Sequence, residues 1–234
     1  MCDHCPLPAC TRSRPMVVAL LAALFVLALS SGAVADEEPS LPDISDAQWD
    51  KLHDGEVYVD VDREGSNNRG VVIGIVQEEI NDVTPLIARC WEYGDWRDNL
   101  KDTSLEENTD GNHLVCGGTA KVPFPARDRH GHFDVHNRST DVEGTRSFVS
   151  TFNYIDDTGN LEDMFGYWVA YPYGDDGEHT MIKHVLNVDL GSWLPDRLIQ
   201  WATGRTLPNT VIGIRSQLND NLSEPLYWRD HDYD

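Results

Sequence analysis

The sequence predicts an α+β domain: a curved antiparallel sheet of about six to eight strands wrapped around a long C-terminal helix, with short helices after the second strand. Three observations predict it. Apolar runs, alternating or continuous and several of them ended by a Gly, Asn or Asp cluster, recur from Glu56 to Val188 and read as strands. After the second of them, Ile80 to Trp91 changes to helical spacing, with Val83, Leu86, Ile87 and Cys90 on one face. Near the end, Leu194, Leu198 and Trp201 fall at helical spacing, and the stripe resumes after Gly204–Pro208 at Leu207, Val211, Ile214 and Leu218.

The elements follow in order. Arg12 and Arg14, the apolar run Met16 to Leu29 and Ala33-Val34-Ala35 read as a signal peptide over residues 1–35, cleaved after Ala35. That directs the rest of the chain to the periplasm or the medium, with no stable membrane insertion after cleavage. The apolar run is too short for a comfortable membrane span. Cys2, His4, Cys5 and Cys10 fall in the leader, so their metal-like grouping carries no weight in the mature chain. Residues 36–44 are acidic and carry two prolines, and are expected to be flexible. Ser45 to Leu52 is a short helix that docks by Trp49, and it opens the domain, residues 45–218.

Glu56 to Asp62 alternates, with Val57, Val59 and Val61 inward, and pairs through the turn at Gly65 and Asn67-Asn68 with the apolar run Gly70 to Val76. The helical segment 80–91 then leads into Trp91, Tyr93 and Trp96, aromatics that either seal the sheet or rim a pocket. Leu100 to Glu107 and Asn112 to Val122 form a hairpin across Thr109-Asp110-Gly111. His130 to Thr140, Thr145 to Tyr154, Gly166 to Tyr173 and His179 to Val188 are four further strands. In the final helix Ser192 is the cap, Pro195 sits in the first turn and Pro208 starts a second segment. Residues 219–234 form an acidic, aromatic tail.

Composition narrows the function. Forty acidic against 18 basic residues leave a net charge of −22, which repels phosphate backbones and anionic membranes, so no nucleic-acid partner is expected. No nucleophile elbow, zinc-protease helix or phosphate-cradling glycine loop is present. Beyond the leader two cysteines remain, Cys90 and Cys116. In an oxidising compartment they either pair or stay as buried thiols.

His130, His132, Asp134 and His136 share one face of a strand. Successive members stand about 7 Å apart, too far to chelate one ion along one strand, so a solvated face is the expectation and no metal is assigned. Arg127-Asp128-Arg129 either clamps an anion or locks the corner between two strands.

Three stretches carry a family resemblance. Val122 to Arg129 is similar to a Pro-rich, Arg/Asp corner between strands; Gly166-Tyr167-Trp168 through His179-Thr180 resembles a penultimate hairpin; Asn187 to Pro195 resembles the lead-in to a terminal helix. In this order and spacing they resemble a bacterial START-like domain of the Bet v 1-like, SRPBCC helix-grip superfamily. Ser192 stands where a second glycine often sits, and His130 where an acidic residue is common.

The resemblance implies an apolar cavity between sheet and C-terminal helix that takes lipids, sterols, polyketides or similar molecules, and no obligatory cofactor. Arg129, Tyr154 and His184 would orient a headgroup, while Phe152, Trp168 and Tyr171 on the sheet and Trp193, Leu198 and Trp201 on the helix would form the walls. The expected function is a non-catalytic carrier or sensor. The rivals are a cyclase- or hydrolase-like enzyme, with its acid–base group from the 130–136 strand or His184, and an adaptor domain whose cavity is filled by its own side chains.

Overall fold

The computed structural model describes residues 37–64, 67–123, 126–156, 158–189, 204 and 206–218. The expected leader, Trp193, Leu198 and Trp201, and the acidic tail lie outside the described residues. Among the described residues no helix is long and apolar enough to cross a membrane.

The strands are β1 (Tyr58–Glu64), β2 (Asn67–Val76), β3 (Leu100–Asn108), β4 (His113–Ala120), β5 (Arg129–Val142), β6 (Thr145–Tyr154), β7 (Asp163–Tyr173) and β8 (His179–Asp189). All pair antiparallel in one sheet, in the order β1-β2-β8-β7-β6-β5-β4-β3. Each expected strand is present within a few residues of its expected bounds. Between β2 and β3 lie α2 (Ile80–Ala88), a 3-10 turn (Cys90–Glu92) and α3 (Tyr93–Trp96). Because β3 is the far edge strand, this helical segment has to span the sheet. Ahead of β1 comes α1 (Asp46–His53), and after β8 the described helix is α4 (Pro208–Gln217).

The period of two along each strand divides the core in two. Val72, Val76, Leu114, Val135, Phe152, Trp168, Ala170 and Ile182 face the helices α2, α3 and α4. Val71, Ile73, Ile75, Val149, Tyr167, Val169, Tyr171, Met181 and Val185 face the other way. Burial on both faces is why β2 reads as an unbroken apolar run rather than an alternation. Val61, expected to point inward, is 41% exposed, near the end of an edge strand.

The outer face is covered by the N-terminal segment. Residues 37–44, expected to be flexible, are instead packed. Leu41 and Ile44 join the outer core, Glu37 holds Arg69 (Nε to Oε2, 2.8 Å), and the Lys183 ammonium donates to Ser40 Oγ (2.7 Å) and the Leu41 carbonyl (3.2 Å). The acidic, proline-containing composition is that of a tail, but Glu37 and Ser40 find partners on the sheet in Arg69, Tyr167 and Lys183. In α1 the Gln48 carboxamide closes the N-terminus by accepting from the Ser45 N–H at 2.6 Å. Trp49 stacks on Tyr173, with ring centroids 5.9 Å apart, and Leu52 is fully buried.

On the inner face α4 presents the expected stripe, with Leu207, Val211 and Ile214 buried and Pro208 in its first turn. Gly70 and Gly74 let it approach β2: a Cβ on either would strike Leu207 or Val211. Gly213 does the same for Trp96 of α3. Arg215, almost fully buried, fastens the helix by donating to the Ile75 carbonyl (2.8 Å from Nε) and the Gly55 carbonyl (2.7 Å from Nη1).

Candidate functional site

Where the helices span the sheet they leave a cavity of about 220 Å³. Its sheet side is apolar, built from Phe133, Val135, Phe152, Trp168 and Leu186, with Met164 beside them. Its helix side is supplied by Cys90, Tyr93, Arg97 and Thr206. Cys90 and Cys116 form a disulfide, with Cα atoms 6.2 Å apart, that ties the segment after α2 to β4 at the cavity wall. Thr103 adds a second tie, donating to the Trp91 carbonyl (2.7 Å) and accepting from the Gly94 N–H (3.2 Å).

Four of the sequence-predicted residues line the cavity: Arg129, Phe152, Trp168 and His184. Trp168 and His184 are direct cross-strand partners on β7 and β8, and their rings stack at 3.9 Å. His184 Nδ1 lies 3.3 Å from the Tyr167 carbonyl, so in the neutral ring it carries the hydrogen and leaves Nε2 an acceptor. Burial pushes the His184 pKa down to about 3, and the positive charge of Arg97 adds to the effect. The ring is therefore a neutral polar group near neutral pH and a poor general base.

Tyr171 is corrected. It stands three residues from Trp168, an odd number, so it belongs to the outer face, where it is buried in the second core. Tyr154 shares the parity of Phe152, but it sits over Gly131 and against Phe133 (centroids 5.9 Å apart), beside the cavity wall rather than in it. The corner residues divide their work. Asp128 makes the lock, accepting from the Val122 N–H (3.0 Å) and pairing with Lys101 (2.7 Å), while Arg129 turns into the cavity wall and donates to the Arg127 carbonyl (3.1 Å). Asp134 and His136 alternate with the cavity-lining Phe133 and Val135, so the polar face of this strand points away from the cavity. That face cannot supply an acid or base to the cavity.

Of the aromatics that could seal the sheet or rim a pocket, Tyr93 lines the cavity, and Arg97 beside it was not identified from sequence. Tyr93 anchors the segment by donating to the Ile87 carbonyl (2.6 Å) and meets Trp168 edge-on at 6.3 Å. The Arg97 guanidinium lies 5.6 Å from the Tyr93 ring centroid and 5.9 Å from that of Trp96. One Nη donates to Thr210 Oγ1 of α4 at 3.2 Å, and the buried Nε has no hydrogen-bond partner. Among the described residues no carboxylate pairs with it, and desolvation pulls its pKa below the ordinary arginine value. The signal in the sequence was an arginine closing an aromatic cluster, Trp91 to Arg97, in a chain short of basic residues.

No protein-family model and no curated protein matches the sequence. Solved structures do. A STAR-related lipid transfer protein from Xanthomonas axonopodis superposes with a TM-score of 0.58 at 15% identity, over 70% of this chain and 92% of that one. The human StAR-related lipid transfer protein 5 does so with 0.53 at 13%, over 69% and 86%. The Zhui aromatase/cyclase from Streptomyces sp. R1128 gives 0.51 at 13%, over 65% and 94%. With an eight-stranded antiparallel sheet, a helical segment spanning it and a C-terminal helix seated on β2, the chain has the helix-grip fold of START-like domains.

Proposed function

We propose that this protein is an exported, non-catalytic carrier or sensor of an amphiphile, whose apolar part fills the cavity and whose anionic head, a carboxylate or phosphate, meets Arg97. One observation carries the reading: a partly buried guanidinium, its Nε buried and without a hydrogen-bond partner and no carboxylate paired with it among the described residues, lining an apolar cavity. A desolvated charge without a counter-ion is costly, and an anionic ligand would relieve that cost while its tail buries apolar surface at roughly 25 cal/mol per Å². The net charge of −22 does not oppose this strongly, since surface charges are screened beyond about 8 Å at physiological salt. Export is supported by the leader and by a disulfide, which suits an oxidising compartment. The likeness to an aromatase/cyclase keeps an enzymatic use of the cavity as the rival, yet His184, a neutral and weakly basic ring, gives acid–base chemistry little support.

The test is native mass spectrometry of protein purified without detergent, followed by organic extraction and by titration with a long-chain fatty acid and with an uncharged sterol. One anionic amphiphile per chain is expected. Arg97→Met should fold and bind the fatty acid about 10- to 100-fold more weakly, the loss of a charge-assisted hydrogen bond. A chain that carries nothing and takes up neither probe overturns the carrier reading. Preference for the sterol, unchanged in Arg97→Met, overturns the assignment of the head.

A further inference from the structure

A second cluster lies on the opposite face of the sheet and has no part in the cavity. At the end of the β4–β5 pair away from their connecting corner, beside the β3–β4 turn, His113, Asp134 and His136 converge. His113 and His136 are direct cross-strand partners, with imidazoles stacked at 4.0 Å. The Asp134 carboxylate bridges them: Oδ1 lies 2.6 Å from His113 Nε2, and Oδ2 lies 3.1 Å from His136 Nε2. One ligand atom from each residue falls within 4.8 Å of the others.

Along β5 alone, same-face residues stand about 7 Å apart and cannot share an ion. The neighbouring strand supplies the missing ligand, because directly opposed residues stand only about 4.5–5.5 Å apart. The two N···O contacts, 2.6 and 3.1 Å, are hydrogen-bond distances that would lengthen by less than about 1 Å to reach the roughly 3.4 Å edge of a tetrahedron with 2.1 Å bonds. The scaffold is set before any ion arrives. Asp110 Oδ1 accepts from the N–H groups of Asn112 (2.9 Å) and His113 (2.8 Å), and the Asn137 N–H donates to the Asn112 carbonyl (2.7 Å). With side chains 42, 37 and 44% exposed, the three groups are open to an ion from solvent.

We propose that His113, Asp134 and His136 bind a divalent transition ion of the Zn²⁺ class, through two imidazole nitrogens and one carboxylate oxygen, with the remaining position left to water. Two nitrogen donors select Zn²⁺, Co²⁺, Ni²⁺ or Cu²⁺ over Ca²⁺ and Mg²⁺, which require oxygen. The ion would clip β4 to β5 and stabilise the folded chain, since the unfolded chain has no such site.

The test is calorimetric titration of the chelator-stripped full chain with Zn²⁺, paired with absorption spectra of the Co²⁺ form and thermal unfolding with and without Zn²⁺. One saturable site is expected, with a Co²⁺ spectrum of nitrogen and oxygen ligation and a Tm raised by Zn²⁺. His113→Gln and His136→Gln should each weaken that site by on the order of 100-fold or more, since even outer-shell changes cost 10- to 100-fold. His130→Gln, on the same strand face but outside the cluster, should leave it intact. Metal-free melting of the variants shows that they fold. Three results overturn the proposal: no saturable Zn²⁺ uptake, equal affinity in the His113 and His136 variants, or thiolate charge-transfer bands placing the ion on the cysteines of the leader.

Discussion

Gly74→Ala tests the seat of the C-terminal helix, and its sign is decided by the structure. In the middle of a strand, replacing glycine by alanine ordinarily stabilises by about 0.5–1 kcal/mol. Here the added Cβ would stand 2.6 Å from Val211 Cγ1 and 3.2 Å from its Cγ2. Carbon atoms in contact prefer about 3.5–4.0 Å, so the overlap is about 1 Å. Val211 is fully buried and β-branched, with one preferred rotamer on a helix, so it cannot turn aside. The helix is also fastened through Arg215 to the Ile75 and Gly55 carbonyls, so it resists a shift. Overpacking of this kind costs about 1–3 kcal/mol. Net destabilisation of about 1–2 kcal/mol follows, a Tm lowered by roughly 2–8 °C for a domain of this size. The assay is urea denaturation followed by tryptophan fluorescence, comparing midpoints at unchanged slope. Gly118→Ala is the control: its nearest neighbour would be Thr103 at 3.6 Å, an ordinary contact, and its midpoint should hold or rise. If Gly74→Ala is as stable as Gly118→Ala, the helix does not sit against β2 as described.

Two further outcomes are expected. Replacing both Cys90 and Cys116 by Ala removes a cross-link between residues 26 apart, which loop-closure entropy values at about 3.5 kcal/mol. A urea midpoint shift worth less than about 1 kcal/mol would show that the two thiols are not bonded in the native protein. The third outcome concerns pH. The folded His184 has its pKa pushed down to about 3, against an ordinary 6.5, so as pH falls the unfolded chain takes up this proton first. Its contribution is thus complete above about pH 6.5 and is lost as pH falls towards 3, with a slope of up to about 1.4 kcal/mol per pH unit. Between pH 7 and 4.5, wild type should lose more stability than His184→Phe; parallel curves would show that the ring is not buried neutral.

Strands and turns were legible because their signals are local. The Val57–Val61 alternation, the Asp156–Asn160 and Gly174–Gly177 turns and the Val211–Ile214 spacing each reflect the period of one element, whatever it packs against. The order of these elements was enough for the α+β class and the helix on the sheet. Trp168, Phe152, His184 and Arg129 were legible as cavity residues for the same reason, as apolar or isolated polar positions on strands that had to be covered. Tyr171 was within reach of the same rule, since an odd spacing from Trp168 puts it on the other face.

What the sequence by itself determined, then, is the set of elements and the parity within each. Only the tertiary structure decided how separate elements meet. The Cys90–Cys116 pair depends on the path of the helical segment from β2 to the far edge. That same path carries Arg97 into the cavity. The register of β4 against β5 across the corner at 121–128 sets His113 opposite His136. The acidic residues 37–44 become a strap only because Arg69, Tyr167 and Lys183 wait on the outer face. Each of these is a contact between residues far apart in the chain, and its free energy depends on a register and a separation that no single segment encodes.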